Sequence, residues 1–164
     1  MANHYLLPLV ASLSLFSALI TIANAAPPLA FIIKGRVYCD TCRAGFETSA
    51  SEYLEGAKVR LECKHFGSGE IIHKGECVTD ATGAYELRVE DDHQEEICEV
   101  ILVDSPRPDC GEVHIGRDRA RVSLTRNNGI SSAVRYANAV GFLKDEPLLE
   151  CGLLLQKYAL GDSD

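Results

Sequence analysis

From Ala57 to Lys64 the chain alternates apolar and charged residues without a fault, and Tyr85 to Glu90 does the same. A period of two places successive side chains on opposite faces of an extended backbone, so each run predicts a strand with one face buried and one wet. Phe31 to Cys39 predicts a further strand, with Phe31, Ile33, Val37 and Cys39 on one face. Ile97 to Val103 is apolar apart from Glu99, the pattern of a central strand covered on both sides. Ile71–Val78 (interrupted at Gly75), Arg121–Thr125 and Ala133–Val140 bring the number to about seven. Gly67-Ser68-Gly69, Asp80-Ala81-Thr82-Gly83, Ser105-Pro106-Arg107-Pro108 and Asn127-Asn128-Gly129 punctuate these runs as turns. Short strands at near-regular spacing predict an all-β barrel or sandwich. Helix is expected only after Pro147, as a short C-terminal segment with Leu149, Cys151, Leu154 and Tyr158 lining one face.

The N-terminus breaks this pattern. Residues 1–25 contain no Asp, Glu, Lys or Arg; Leu6 to Ile22 forms an apolar stretch, and Ala23-Asn24-Ala25 supplies a small-x-small cleavage site. Residues 1–25 therefore read as a signal peptide and residues 26–164 as a single exported domain. No later stretch is long and apolar enough to span a bilayer, so stable membrane insertion after signal removal is not expected. The formal charge of −8 falls wholly on the mature part, which argues against nucleic-acid binding, since that needs a positive field. The chain has no Trp and no Asn-x-Ser/Thr sequon.

Export changes how the seven cysteines are read. Cys39-Asp40-Thr41-Cys42 could be a redox pair, half a zinc site or two independent disulfide ends. A redox pair calls for a βαβ context. A zinc site calls for further close ligands, yet the other cysteines are scattered singly and His65, His73, His93 and His114 show no paired-ligand spacing. Disulfides are the expected state of Cys39, Cys42, Cys63, Cys98, Cys110 and Cys151 in a small exported domain, and six cysteines admit about 15 pairings. Cys77 lies outside this set as an odd thiol. It reads either as a small buried side chain on its strand or as the origin of an intermolecular bridge.

The turn-and-strand unit Asp80 to Leu87 resembles those of transthyretin-like and carboxypeptidase-regulatory sandwiches. A more specific likeness starts at Gly35-x-Val37-Tyr38-Cys39-Asp40-x-Cys42-Arg43. It continues through Ala44-Gly45-Phe46, Gly56-Ala57, Glu96-Ile97-Cys98-Glu99, Asp109-Cys110, Gly141-Phe142 and Cys151. This run resembles the signature of the secreted plant family named after the olive major pollen allergen (Ole e I-like), which also holds the tomato late-anther pollen protein. The resemblance implies bridges Cys39–Cys110, Cys42–Cys151 and Cys63–Cys98. It also implies an extracellular protein of pollen or anther, with some relatives acting as ligands of receptor-kinase ectodomains and some being allergens. Members of the family are often glycosylated, and the missing sequon departs from that.

No nucleophile elbow, zinc-helix motif or phosphate-binding loop occurs, so no catalytic, cofactor or metal residue is assigned, and no enzyme is expected. Glu90-Asp91-Asp92-His93-Gln94-Glu95-Glu96 could attract a cation, but it lacks the ordered spacing and Gly of a calcium loop and reads as a solvated connection. Arg117, Arg119 and Arg121 alternate, placing three guanidinium groups on one side of an extended segment. They read either as a charged edge that deters strand pairing or as a docking stripe for an acidic partner. The expected function is a secreted binding protein, a ligand or modulator of cell-surface receptors. The alternative is a wall-associated protein holding a pectin-like polysaccharide. A hydrolase would need paired carboxylates of strongly perturbed pKa.

Overall fold

A computed structural model describes residues 30–158; the expected signal peptide, residues 1–25, lies outside them. The described chain is mostly β-strand, arranged in two sheets with one short helix. The first sheet is built on β1 (Ala30–Asp40). The two-residue β2 (Glu52–Tyr53) and β5 (Ala84–Glu90) run antiparallel to β1, and β8 (Val134–Tyr136) and β9 (Val140–Leu143) run parallel to it. The second is antiparallel, in the order β4 (Ile71–Val78), β3 (Lys58–His65), β6 (Glu96–Asp104) and β7 (Arg119–Val122).

The alternation of β3 and β5 is realised as read: Val59, Leu61 and Cys63 are buried, as are Tyr85, Leu87 and Val89, while the residues between them face outward. These side chains meet Phe31, Ile33, Val37, Val100, Leu102, Val122, Val140 and Phe142 in one core between the sheets. Apolar burial of this kind is the main favourable term in folding.

Four expectations are corrected. Ala133–Val140 is not one strand but the whole of β8, a break and the first residue of β9. Four residues carry Tyr136 to Val140 while three carry the partners Lys34 to Val37, so one residue is looped out at Ala137–Ala139. The strand expected at Arg121–Thr125 is β7, at Arg119–Val122. Leu124 remains buried, but its carbonyl accepts the His93 amide, outside the β6 ladder. β6 is not covered on both sides: Cys98, Val100 and Leu102 are buried, whereas Ile97, Glu99, Ile101 and Val103 are half-covered. The helix α1 (Cys151–Gln156) buries Cys151, while Leu149 lies before it, fully exposed.

Candidate functional site

β1 ends at Cys39-Asp40 and turns at Thr41-Cys42, and this corner organises one end of the molecule. Asp40 is 1 % exposed. Its carboxylate accepts the backbone N–H groups of Cys42 (3.3 Å), Ala44 (3.0 Å) and Gly45 (2.6 Å), turning the chain sharply out of the sheet. The turn needs left-handed backbone at Arg43 (φ 52°) and Gly45 (φ 81°), and Gly takes such φ without a Cβ clash. Thr41 fixes the return by donating its hydroxyl to the Ala50 carbonyl at 2.7 Å.

Two disulfides bind further segments to this corner. Cys39 is joined to Cys110 and Cys42 to Cys151, with Cα–Cα distances of 6.0 and 5.3 Å. The third bridge, Cys63–Cys98, crosses directly opposed residues of β3 and β6, 4.0 Å apart at Cα. Cys77 is the free cysteine; it sits half-buried on β4 opposite Val59 and packs against the core. Burial pushes its thiol up to about 11.

Ion pairs lock the same end. Arg43 makes a two-pronged contact with Glu112 (2.7 and 2.8 Å) and also donates to the Lys144 carbonyl at 2.6 Å. Arg107 grips Asp109 in the same way (3.0 and 2.7 Å) and reaches Glu52, while Lys144 meets Asp109. Hydrogen bonds from Arg107 and then Lys144 hold the Asp109 carboxyl well below the usual range. Planar guanidinium–carboxylate forks of this kind fix geometry as well as charge.

On this scaffold the chain exposes Phe46, Val113, Ile115, Leu149, Leu153 and Tyr158, with Ile115 at 86 %. Phe46 and Tyr158 meet edge to face, 5.4 Å between centroids. The Arg117 guanidinium lies against the Asp40 turn, donating to the Ala44 carbonyl at 3.4 Å, and fills the space where a Gly45 Cβ would stand.

The three alternating arginines do not act alike. Arg119 is half-buried and forked onto Asp118 (3.1 and 2.8 Å), with Glu99 at 3.4 Å. Arg117 and Arg121 are exposed and have no carboxylate partner among the described residues, although Arg121 stands opposite Glu99 in the β6–β7 register. Arg117 joins the apolar residues at the disulfide-tied end, and Arg121 lies farther along β7. This end was only partly legible in the sequence. The arginines stood out by spacing, whereas Phe46 entered only through the family likeness, Tyr158 only as a helix-face residue, and Ile115 carried no local signal; the contact of Phe46 with Tyr158 joins segments that the Cys42–Cys151 bridge ties together.

A separate cleft of about 610 Å³ lies between Lys34, Arg36, Asp80, Glu86 and Tyr136, floored by Gly35 and Ala84. Lys34 and Glu86, opposed on β1 and β5 in its lining, are paired at 3.0 Å.

Comparisons with known proteins agree with this architecture. The family model for "Pollen protein Ole e 1 like" matches residues 29–159. Pollen-specific protein C13 of Zea mays is 57% identical over 134 residues, covering 82% of this chain and 79% of that protein. The anther-specific protein LAT52 of Solanum lycopersicum is 44% identical over 143 residues, covering 87% of this chain and 88% of its own. The crystal structure of the major plantain pollen allergen Pla l 1 superposes with a TM-score of 0.66 at 31% identity, spanning 73% of this chain and 97% of that one. On a family model that spans all but the ends of the chain, and on relatives matched over most of their length, the chain belongs to the Ole e 1-like family of pollen proteins.

Proposed function

We propose that this protein is a secreted binding protein, a ligand or modulator of a receptor ectodomain in pollen or growing tissue, that docks through its disulfide-tied end. The observation that carries this reading is the exposed Phe46–Tyr158 ring pair with Arg117 against the adjoining turn and the exposed Ile115 two residues before it, on segments that follow the cysteines of two disulfides. Aromatic, aliphatic and arginine side chains fixed before binding are the usual anchors of protein interfaces, and rigid loops lose little entropy on docking. The unneutralised Arg117 suits a carboxylate on the partner surface, a local attraction that works against the repulsion between an acidic partner and a chain carrying −8 overall. The relatives' names, pollen-specific and anther-specific, support a role in that setting. A binding role rather than catalysis is supported by the carboxylates. Those whose pKa departs from the ordinary value (Glu76, Asp80, Asp92, Asp109, Glu112 and Asp118) are all shifted down, while a general acid needs a raised one.

The second reading is a wall-associated protein that holds a pectin-like polysaccharide. The cleft beside Tyr136 favours it, because an exposed ring flanked by Lys34, Arg36, Asp80 and Glu86 can stack on a sugar and hydrogen-bond its hydroxyls.

Affinity capture from extracellular fluid and detergent-solubilised membranes separates the two. With the native protein as bait an ectodomain should be retained, and Phe46→Ala or Ile115→Ser should weaken the purified pair by about 2 kcal/mol, some thirty-fold. Recovery of polysaccharide alone, released by high salt, would reject the receptor reading.

A further inference from the structure

β4 is the outer strand of its sheet, and among the described residues no strand lies on its far side. The direction of its backbone groups follows from the disulfide beside it. Opposed residues of an antiparallel pair alternate between a hydrogen-bonded pair and a closer one without hydrogen bonds. Cys63 and Cys98, 4.0 Å apart at Cα, are of the closer kind, so the Cys63 N–H and C=O turn the other way, toward His73 on β4. Alternation commits Gly75 and Cys77 to β3 in the same way, and Thr79 keeps the phase by donating to the Ala57 carbonyl at 3.0 Å. The N–H and C=O groups of Lys74, Glu76 and Val78 therefore point off the open edge. Their side chains are exposed too, Val78 at 62 %, as is Ile72 at 52 %.

We infer that this edge takes a second copy of the chain, the two β4 strands pairing antiparallel about a two-fold axis at Gly75. In that register Lys74 stands opposite Glu76 of the second copy and Glu76 opposite its Lys74, while Ile72 and Val78 meet as an apolar pair on each side. The backbone groups that β3 leaves unused then bond to each other, and opposite charges directly across a ladder are favourable. Lys74 has no carboxylate partner of its own among the described residues. Glu76 is already oriented by Lys58 (2.9 Å) and Arg60 (2.7 Å). The strand beneath repeats the charge order. A Cβ at Gly75 would lie 3.7 Å from Leu87, and Leu87 is flanked by Glu86 and Arg88 on β5, the outer strand of the other sheet. Edges that avoid association carry charges that repel their own copy or bulges that twist away, whereas this one is complementary to itself. Because the same patch serves both copies, assembly closes at the dimer. Cys77 falls opposite His73 of the second copy and not opposite its own counterpart, so the pairing needs no disulfide.

The test is sedimentation equilibrium of the disulfide-bonded protein from about 10 µM to about 1 mM, a range that covers weak protein contacts. A reversible monomer–dimer equilibrium is expected, with no covalent dimer on a non-reducing gel and the same association in Cys77→Ala. Lys74→Glu sets like charges against each other at both contacts and should weaken association at least about ten-fold. Arg121→Glu makes the same change of net charge on β7, at the opposite edge of the sheet, and should leave association unaltered. Hydrogen exchange at Lys74, Glu76 and Val78 should slow as the dimer fills. The inference is overturned by a monomer throughout the range, or by a dimer that survives Lys74→Glu or is lost in Cys77→Ala. Equal weakening by Arg121→Glu, or exchange at those three amides that ignores concentration, would overturn it as well.

Discussion

At Gly35 there is room for a hydrogen and nothing larger: a Cβ built there would lie 2.3 Å from the Tyr85 hydroxyl oxygen. The two residues are directly opposed on β1 and β5, so the ring of one occupies the absent side chain of the other. Gly35→Ala should therefore lower unfolding stability in urea by about 2 kcal/mol, the scale of overpacking a closed core. The Tyr85 hydroxyl is also buried without a hydrogen-bond partner among the described residues. Tyr85→Phe should accordingly be neutral or stabilising, by up to about 1 kcal/mol in the same assay, since an unmet buried hydroxyl costs more than it returns. Cys77 gives a second test at this scale. Its folded thiol is raised to about 11 from an ordinary 9.0, so the neutral form is favoured on folding. Any stability it contributes is complete below 9.0 and lost as pH rises through about 11. Alkylation of the native protein should follow that higher midpoint, with denaturant restoring the ordinary one. A native midpoint near the ordinary value would mean the thiol is solvated. That Cys77 sits on a strand was legible from the Ile71–Val78 run; that Gly35 exists to admit Tyr85 was not, because the opposing residue lies fifty positions away.

Among the elements, β3 and β5 were legible because each buries one face of a regular ladder, and period two survives from sequence to structure. The β8–β9 region was not, because what holds it is a single long side chain. Arg135 is 4 % exposed and lies over the Phe31 ring at 4.9 Å. It donates to the carbonyls of Ser123 (3.1 Å), Thr125 (3.0 Å) and Ser132, tying β8 to the connection that precedes it. An arginine in an alternating run reads as outward-facing, and nothing local says that five donors will meet inward-turned carbonyls. Arg135→Ala should cost about 2–4 kcal/mol by leaving several buried acceptors unmet. Arg135→Lys should recover only part, since an ammonium lacks the fork. Hydrogen exchange confined to residues 123–136 would register the loss; an unchanged denaturation midpoint would contradict it. The helix shows the converse error. Leu149 has helical spacing to the later apolar residues, yet a helix of six residues offers too short a face to bury it.

Over the whole molecule, the pairing of the six cysteines came from family likeness and not from the residues themselves, which admit many pairings. The charge distribution adds a pH response. Glu76 is held down to about 2 by hydrogen bonds from Lys58 and Arg60, and Asp109 and Glu112 are lowered by Arg107 and Arg43. For a depressed carboxyl, the stabilising contribution is present above the unfolded value and lost as pH falls through the folded one. The urea midpoint should thus hold from neutrality to about pH 5 and decline below the ordinary 4.5 toward 2. The decline should be gradual, because these pairs are exposed and each is weak. A midpoint that rose on acidification would reverse the assignment.

The Cys42–Cys151 bond spans 109 positions and encloses nearly the whole described chain between its ends. A protease that cuts once at any exposed tip between those cysteines, in the Gly67–Gly69 turn or the Asn127–Gly129 turn for instance, opens the loop without releasing a piece. The nicked protein should migrate as one species on a non-reducing gel and fall into two on reduction. Digestion then leaves the exposed surface of Phe46, Ile115 and Tyr158 attached to a single particle, so its display outlasts the intact backbone.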